Sequence, residues 1–441
     1  MGIAKPILRA ILFELIRIPT KGFATMQRIL VLGAGFAGLW SAVGAARRLD
    51  ELGLDPGEVE VLVVNRTPWH SIRVRNYEAN LEGTRVPLAD VLGPIGVKLV
   101  VANVTDIDIP GRKVTCEIGG ALQDLAYDRL VFAVGSCLAR PPIPGLATHA
   151  FDVDTFEGAT RLNDHISRLP SRPVEPGQYH VLVVGGGLTG IEVATEMFGK
   201  LRAAISQAPT SDLVPSLRVI LADRNTWIGA DMGEGARSVI AEALQSLGIE
   251  TRNGISVTSI DTQGVTLDTG ERIAAATVVW CAGMRADPLT MRFPVERDRL
   301  GRLPVDACLK IKGMQAEFAA GDVAWLPIDN SHASVMSCQH ARPMGRFAGY
   351  NVVGDLLGET MLPLHIDSYV TILDLGPWGA VYTEGWSRRV ETKGSAAKKT
   401  KEIINRQRIY PPRSRNRREI LDASAPVVQP PPDRFPPPTG E

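Results

Sequence analysis

Short apolar runs that close on glycine alternate along this chain with longer stretches of helical periodicity. RILVL at 28–32 reads as a buried strand, and 36–52 as a helix ending in Leu-Gly-Leu-Asp-Pro-Gly. VEVLVV at 59–64 is a second buried strand. Strand, glycine turn, helix, strand is a βαβ unit, so a parallel sheet with helices on its faces is predicted. Residues 97–118 alternate in polarity around Pro110-Gly111 and predict an antiparallel meander, after which LAYDRLVFAVGS at 125–136 returns to a buried strand. ARPPIPG at 139–145 suits neither helix nor inner strand and predicts a crossover between domains.

The pattern then repeats. A strand at 180–184 enters a glycine turn, a helix runs from about 188 to 204, and a strand follows at 217–222. IAAATVVWCAG at 273–283 mirrors the strand at 130–135, and EFAAGDVAW at 317–325 is another strand running into Gly-Asp. YVTILDLGPWGAVY at 369–382 predicts two strands around Gly376-Pro377. The predicted fold class is α/β, with two Rossmann-like dinucleotide-binding units and a small C-terminal region.

Composition narrows the setting. A chain of 441 residues with 45% hydrophobic content holds two or three domains and a sizeable core. The formal net charge of zero argues against a nucleic-acid partner. From Trp386 to Arg418, however, there are 12 Lys or Arg against two Glu. Within that span, 394–412 predicts a basic helix, to which anionic lipid would contribute roughly 1 kcal/mol per basic residue near the surface. Five cysteines (Cys116, Cys137, Cys281, Cys308, Cys338) form no CxxC pair, which fits a reducing cytoplasmic setting. No apolar run approaches the roughly 18 residues of a spanning helix. Residues 1–25 are read either as an amphipathic helix lying on a membrane or as an extension ahead of a start at Met26. From 411 onward Pro, Arg and Ser dominate, and a disordered tail is predicted.

The glycines carry the chemistry. Gly33, Gly35 and Gly38 fit GxGxxG after the first strand, and Gly185, Gly187 and Gly190 repeat it after the later one. The first glycine permits the tight turn, the second lets backbone approach a diphosphate, and the third lets helix pack on strand, with the helix N-terminus facing the negative charge. At the end of the next strand the first unit has Asn65, an amide able to accept and donate. The second has Asp223, a carboxylate suited to the 2′-hydroxyl of NAD and repelled by the 2′-phosphate of NADP, with Arg224 beside it.

GAGFAG, YDRLVFAVGS, GGGLTGIEVATE and FAAGDVA, in this order, resemble the two-dinucleotide-binding-domain flavoproteins over roughly residues 27–350. SCQHARPMGRFAGYNVVGDLLG at 337–358 resembles the AQxAxQxG segment of type II NADH dehydrogenases, the non-pumping NADH:quinone oxidoreductases. The resemblance implies that FAD occupies 27–150 and 300–350. The NAD(H) domain, 151–299, is then inserted between these two parts, with 351–410 as a C-terminal region able to touch a membrane. It also implies FAD contacts from Gly33, Ala34, Gly35, Phe36, Ala37, Gly38, Asn65, Arg66, Val104, Gly135, Gly321 and Asp322, the last to a ribityl hydroxyl. Nicotinamide-cofactor contacts would come from Gly185, Gly187, Leu188, Thr189, Gly190, Asp223 and Gly283. Glu192 would stand near the nicotinamide and flavin, and Gln339 at the flavin edge and quinone pocket. Pro343 replaces the second glutamine of the motif and is expected to disturb its helix. No cysteine lies between 1 and 115, where the disulfide-reductase branches carry theirs. The expected reaction is transfer of two electrons from NADH through FAD to a quinone. The alternatives are a soluble acceptor, or a slow-turnover flavin-bound signalling or scaffold protein.

Overall fold

The computed structural model describes residues 26–54, 57–206 and 216–432. Both readings of residues 1–25 lie outside the described residues.

Along the chain, β1 (Gln27–Leu32) leads through a glycine turn into α1 (Phe36–Glu51), followed by β2 (Val59–Asn65), β3 (Lys98–Val101), β4 (Arg129–Phe132) and the short β5 (Ser136–Leu138). The second unit comprises β6 (His180–Val184), α2 (Leu188–Ser206), β7 (Arg218–Asp223), β8 (Glu250–Asn253) and β9 (Thr277–Trp280), with β10 (Met284–Ala286) leaving it. Then come β11 (Glu317–Ala319), α3 (Cys338–Leu357), β12 (Val370–Asp374), β13 (Ala380–Glu384), β14 (Arg389–Lys393), α4 (Gly394–Ile403) and α5 (Arg417–Asp422).

The first sheet has the order β11-β4-β1-β2-β3 and is parallel at every pairing. Ile29, Leu30, Val31 and Leu32 are fully buried, as expected for strands covered on both faces. The second sheet, β8-β7-β6-β9, is again all parallel. The chain therefore leaves the first sheet after β4, builds the second, and returns as β11. It crosses through a two-stranded antiparallel ribbon in which Ser136 faces Ala286 and Leu138 faces Met284. The proline-rich 139–145 segment follows directly on the ribbon's first strand and is neither helix nor strand. The predicted meander also divides: Lys98–Val101 joins the parallel sheet, and the antiparallel part runs over Asn103–Asp108, Lys113–Ile118 and Ala121–Ala126.

Helices α1 and α3 pack at very short range, because glycines remove the side chains between them. A Cβ on Gly345 would run into the Ala37 carbonyl, one on Gly349 into the Ser41 carbonyl, and one on Gly44 would lie 2.9 Å from the Arg346 carbonyl oxygen. Pro343 sits inside α3 without ending it, contrary to expectation. A proline forfeits one N–H bond, and here tight packing against α1 holds the helix together despite that loss. The C-terminal β12-β13-β14 sheet is antiparallel and is covered by α4.

The chain does not become structureless at 411. Asn416 caps α5 by accepting the Glu419 N–H at 3.1 Å, and Ile420 and Leu421 are buried. Arg47 donates to the Leu421 carbonyl at 3.1 Å, and Ser424 Oγ to the Val43 carbonyl at 3.3 Å. A few apolar residues dispersed among Arg and Pro suffice to dock 411–432 on α1, which average composition does not register. Residues 433–441 lie outside the described residues.

Candidate functional site

At the first cradle, Gly33 has φ +90°, a backbone geometry that strains any L side chain, and its N–H donates to the Val64 carbonyl at 2.8 Å. Asn65 ends β2 and holds the loop with both ends of its amide. Oδ1 accepts the Ala34 N–H at 2.9 Å and Nδ2 donates to the Thr67 carbonyl at 2.7 Å. Gly38 lies so close to the Gly33 carbonyl that no Cβ fits, whereas a Cβ on Gly35 would meet nothing within 4 Å. The middle glycine thus faces open space at the helix N-terminus, the place a diphosphate requires. Gly33, Asn65, Arg66 and Val104, all expected cofactor residues, line one cavity of about 420 Å³. Asp287, Pro288 and Arg292 close it from the returning chain, and no local signal marks them in the sequence.

The second cradle repeats the design. Gly185 has φ +112° and its N–H donates to the Ala222 carbonyl at 2.8 Å. Asp223 accepts the Gly186 N–H with one carboxylate oxygen and the Asn225 N–H at 2.7 Å with the other. Gly190 abuts the Gly185 carbonyl, while a Cβ on Gly187 would meet only the Asp231 carboxylate, at 3.3 Å. Leu188 and Thr189 open α2. Asn65 and Asp223 therefore do the same structural work. One is neutral and the other is an acid.

Between the cradles, Gly135 (φ +82°) and Gly283 (φ +81°) stand at the two ends of the crossing ribbon. Asp322, in the turn after β11, accepts a 2.6 Å hydrogen bond from Ser136 Oγ, which in turn accepts from Arg73 at 2.9 Å. Burial pushes the Asp322 carboxyl above its ordinary range, opposed by that hydrogen bond and by the charges of Arg73 and Arg302. His70 donates from Nδ1 to the Ala34 carbonyl at 2.9 Å; burial brings its pKa down to about 4, so it is neutral near pH 7. His340 accepts the Val335 N–H at Nδ1 and is held at about 4 by burial and by Arg302. It too is neutral.

Gln339 does not project freely toward a ligand. Its carboxamide donates to the Val370 carbonyl at 2.7 Å and accepts the Val370 N–H at 3.2 Å, tying α3 to the start of β12. Glu192 is also engaged. It accepts 2.7 Å from the ammonium of Lys401 and 3.2 Å from the Asp374 N–H, all three residues being buried. Asp374 further accepts from Tyr77 at 3.0 Å and from Lys398 at 2.5 Å. Burial disfavours the Lys401 ammonium, but Glu192 and Asp374 outweigh this and raise its pKa. The sequence gives no warning of Lys401, which reads as one of many solvated bases. The basic stretch is in fact largely paired internally: Arg415 meets Asp90 at 2.8 Å and Arg417 meets Asp50 at 2.6 Å. All five cysteines are unpaired, and burial raises each thiol, so none is primed as a thiolate near neutral pH. Among the described residues no cluster of metal-ligating side chains occurs, and no helix is long and apolar enough to cross a membrane.

Comparison with known proteins agrees with this architecture. An NADH dehydrogenase-like protein of Mycobacterium tuberculosis is 55% identical over 407 residues, covering 92% of this chain and all of that protein. A type II NADH:quinone oxidoreductase of the same organism is 29% identical over 327 residues, 69% of each chain. The solved structure of NDH2 from Plasmodium falciparum in complex with NADH superposes with a TM-score of 0.73 at 14% identity, covering 90% of this chain and 97% of that one. At that identity the likeness concerns the fold. Residues 27–345 match the family model for pyridine nucleotide-disulphide oxidoreductases, and with two glycine cradles in two linked parallel sheets the chain belongs to that family of oxidoreductases.

Proposed function

We propose that this protein oxidises NADH and passes two electrons through FAD to a quinone. The observation that carries the reading is the pair of equivalent cradles, each closed by a polar residue at the end of the next strand, the middle glycine of the first open toward space and that of the second bordered only by the Asp231 carboxylate. FAD, when bound, supplies the two-electron chemistry. Gly33, Gly35 and the N-terminus of α1 would hold its diphosphate, Arg66 and Val104 its adenosine side, and Asp322 a ribityl hydroxyl. Asp223 would favour NADH by accepting from the 2′-hydroxyl and repelling a 2′-phosphate. Glu192, bonded to Lys401 of α4 and to the Asp374 N–H of β12, clamps α2 against the C-terminal sheet and its covering helix, fixing the second cradle relative to the segment that follows α3. Glu192 acts here as a positioning residue.

Relatives named as NADH:quinone oxidoreductases support a quinone acceptor. A soluble acceptor is the second reading. It is favoured by Gln339, whose carboxamide is spent on Val370, and by Pro343, which cannot offer a second amide. The deciding measurement is steady-state NADH oxidation by the purified yellow protein with a menaquinone analogue, a ubiquinone analogue, ferricyanide and a ferredoxin in parallel. Turnover with a quinone supports the first reading. Rapid bleaching of the flavin by NADH without reoxidation by either quinone removes it, and colourless protein that takes up no FAD removes both.

A further inference from the structure

Arg342 and Arg346 stand one turn apart on α3, on the face turned to α1. They are 7% and 2% exposed, and among the described residues neither forms an ion pair. Among the described residues their ten N–H donors form a single bond, 3.4 Å from Arg346 to the Val427 carbonyl, and the Nε of each arginine is buried without a partner. Both guanidinium groups lie over the Trp40 ring, at 5.6 and 4.6 Å from its centroid, and the Trp40 indole N–H is itself buried and unpartnered. Arg408, on the C-terminal segment, adds a third positive charge that both arginines sense. The same segment closes the site through the Val427 carbonyl.

A guanidinium cannot discharge itself as a buried lysine can, and two without counter-ions over one indole face carry a desolvation cost. The π-face of Trp40 offsets only part of that cost. The remaining donors need acceptors, and a positive cluster needs a negative guest. One guanidinium fork satisfies a carboxylate. Two forks and an indole N–H, gathered on one residue and left almost without acceptors, match an anion that accepts on several oxygens at once.

We infer that Trp40, Arg342 and Arg346, with Arg408 at their side, form a binding site for a small free tetrahedral oxyanion, inorganic phosphate or sulfate. The burial of both arginines beneath the C-terminal segment excludes a bulky substituent on the anion. The bound ion would cross-link α1, α3 and the segment 404–428, so its presence is read out as stability of the C-terminal docking. The inference is independent of which acceptor the enzyme uses.

The test uses the full-length, FAD-loaded protein exchanged into phosphate- and sulfate-free buffer. Calorimetric titration with inorganic phosphate, and separately with sulfate, is expected to give one saturable site, and the arm with the tighter binding names the ion. The melting temperature is expected to rise in that ion relative to chloride at matched ionic strength. In R342Q/R346Q the affinity is expected to fall at least tenfold and the rise in melting temperature to vanish. If that variant does not fold, R342K decides: it keeps the charge but loses the fork, and an affinity at least threefold weaker supports the site, whereas unchanged affinity overturns it. No saturable heat with either ion, or an equal thermal response in wild type and variant, also overturns it. So does binding seen only in FAD-free protein and abolished by FAD, which would assign the arginines to the cofactor's own diphosphate.

Discussion

Gly35 and Gly38 differ by three positions, and their surroundings assign them opposite roles. A methyl group on Gly35 enters open space, whereas one on Gly38 collides with the Gly33 carbonyl. Gly35→Val is therefore expected to leave the melting temperature of the FAD-free protein nearly unchanged while FAD affinity drops at least tenfold, checked by melting curves and flavin absorbance. Gly38→Ala is expected to lower the melting temperature even without FAD. The buried Lys401–Glu192 pair makes a second residue-scale expectation. Lys401→Met strands a carboxylate and should cost about 3–5 kcal/mol in denaturant titration, while K401M with E192L should recover most of it. Because the folded pKa of Lys401 is raised above its ordinary 10.5, the ammonium's own contribution is present at neutral pH and is lost as pH climbs through the folded pKa, whereas burial raises the Glu192 carboxyl, so the ion pair is also lost as pH falls through that carboxyl's folded pKa. The spacing of the glycines made both cradles readable in the sequence, because backbone geometry there is a local matter. The partner of Glu192 was unreadable, since it lies 209 residues away.

At the scale of elements, the contact of α1 with α3 depends on glycines from both helices. Gly345→Ala inserts a methyl group where Ala37 O and Trp40 Cβ already stand, and is expected to cost about 1–3 kcal/mol by pushing the helices apart, checked by urea titration. The same packing explains why Pro343 does not end α3, although local rules anticipate a break. Segment 394–412 shows the opposite failing of a local reading. Its basic composition suggests a helix bathed in solvent or lipid headgroups, yet Lys398 and Lys401 turn inward onto Asp374 and Glu192. Charge counts along a chain give the sign of a surface only when the side chains stay outside.

Over the whole molecule, three buried histidines couple folding to acid. His70, His165 and His340 are each held at about 4 against an ordinary 6.5, chiefly by burial. The unfolded chain takes up these protons below pH 6.5 and the folded one only near pH 4, so the histidines leave stability unaffected above 6.5 and lower it as pH falls through this window. At about 1.4 kcal/mol for each tenfold change in proton affinity, the loss is large enough to read as a steep fall in melting temperature between pH 6.5 and 4. Replacing His165 by Gln is expected to flatten that fall. The C-terminal segment is likewise a global matter. Ending the chain before Arg417 removes Ile420 and Leu421 from α1 and should lower the melting temperature of the entire first domain, rather than trimming an inert tail.

The class of fold, the duplication and the two cradles are legible in the amino-acid order. Each is written in short-range patterns: apolar runs that need burial on both faces, and glycines whose backbone conformation few other residues adopt. Tertiary structure alone decided which side chains meet. It turned Gln339 toward the Val370 backbone, gave Glu192 a buried lysine, docked 411–432, and gathered Trp40 with two arginines lacking counter-ions. Such pairings depend on the three-dimensional return of distant segments, and no periodicity along the chain encodes where a given segment comes to rest.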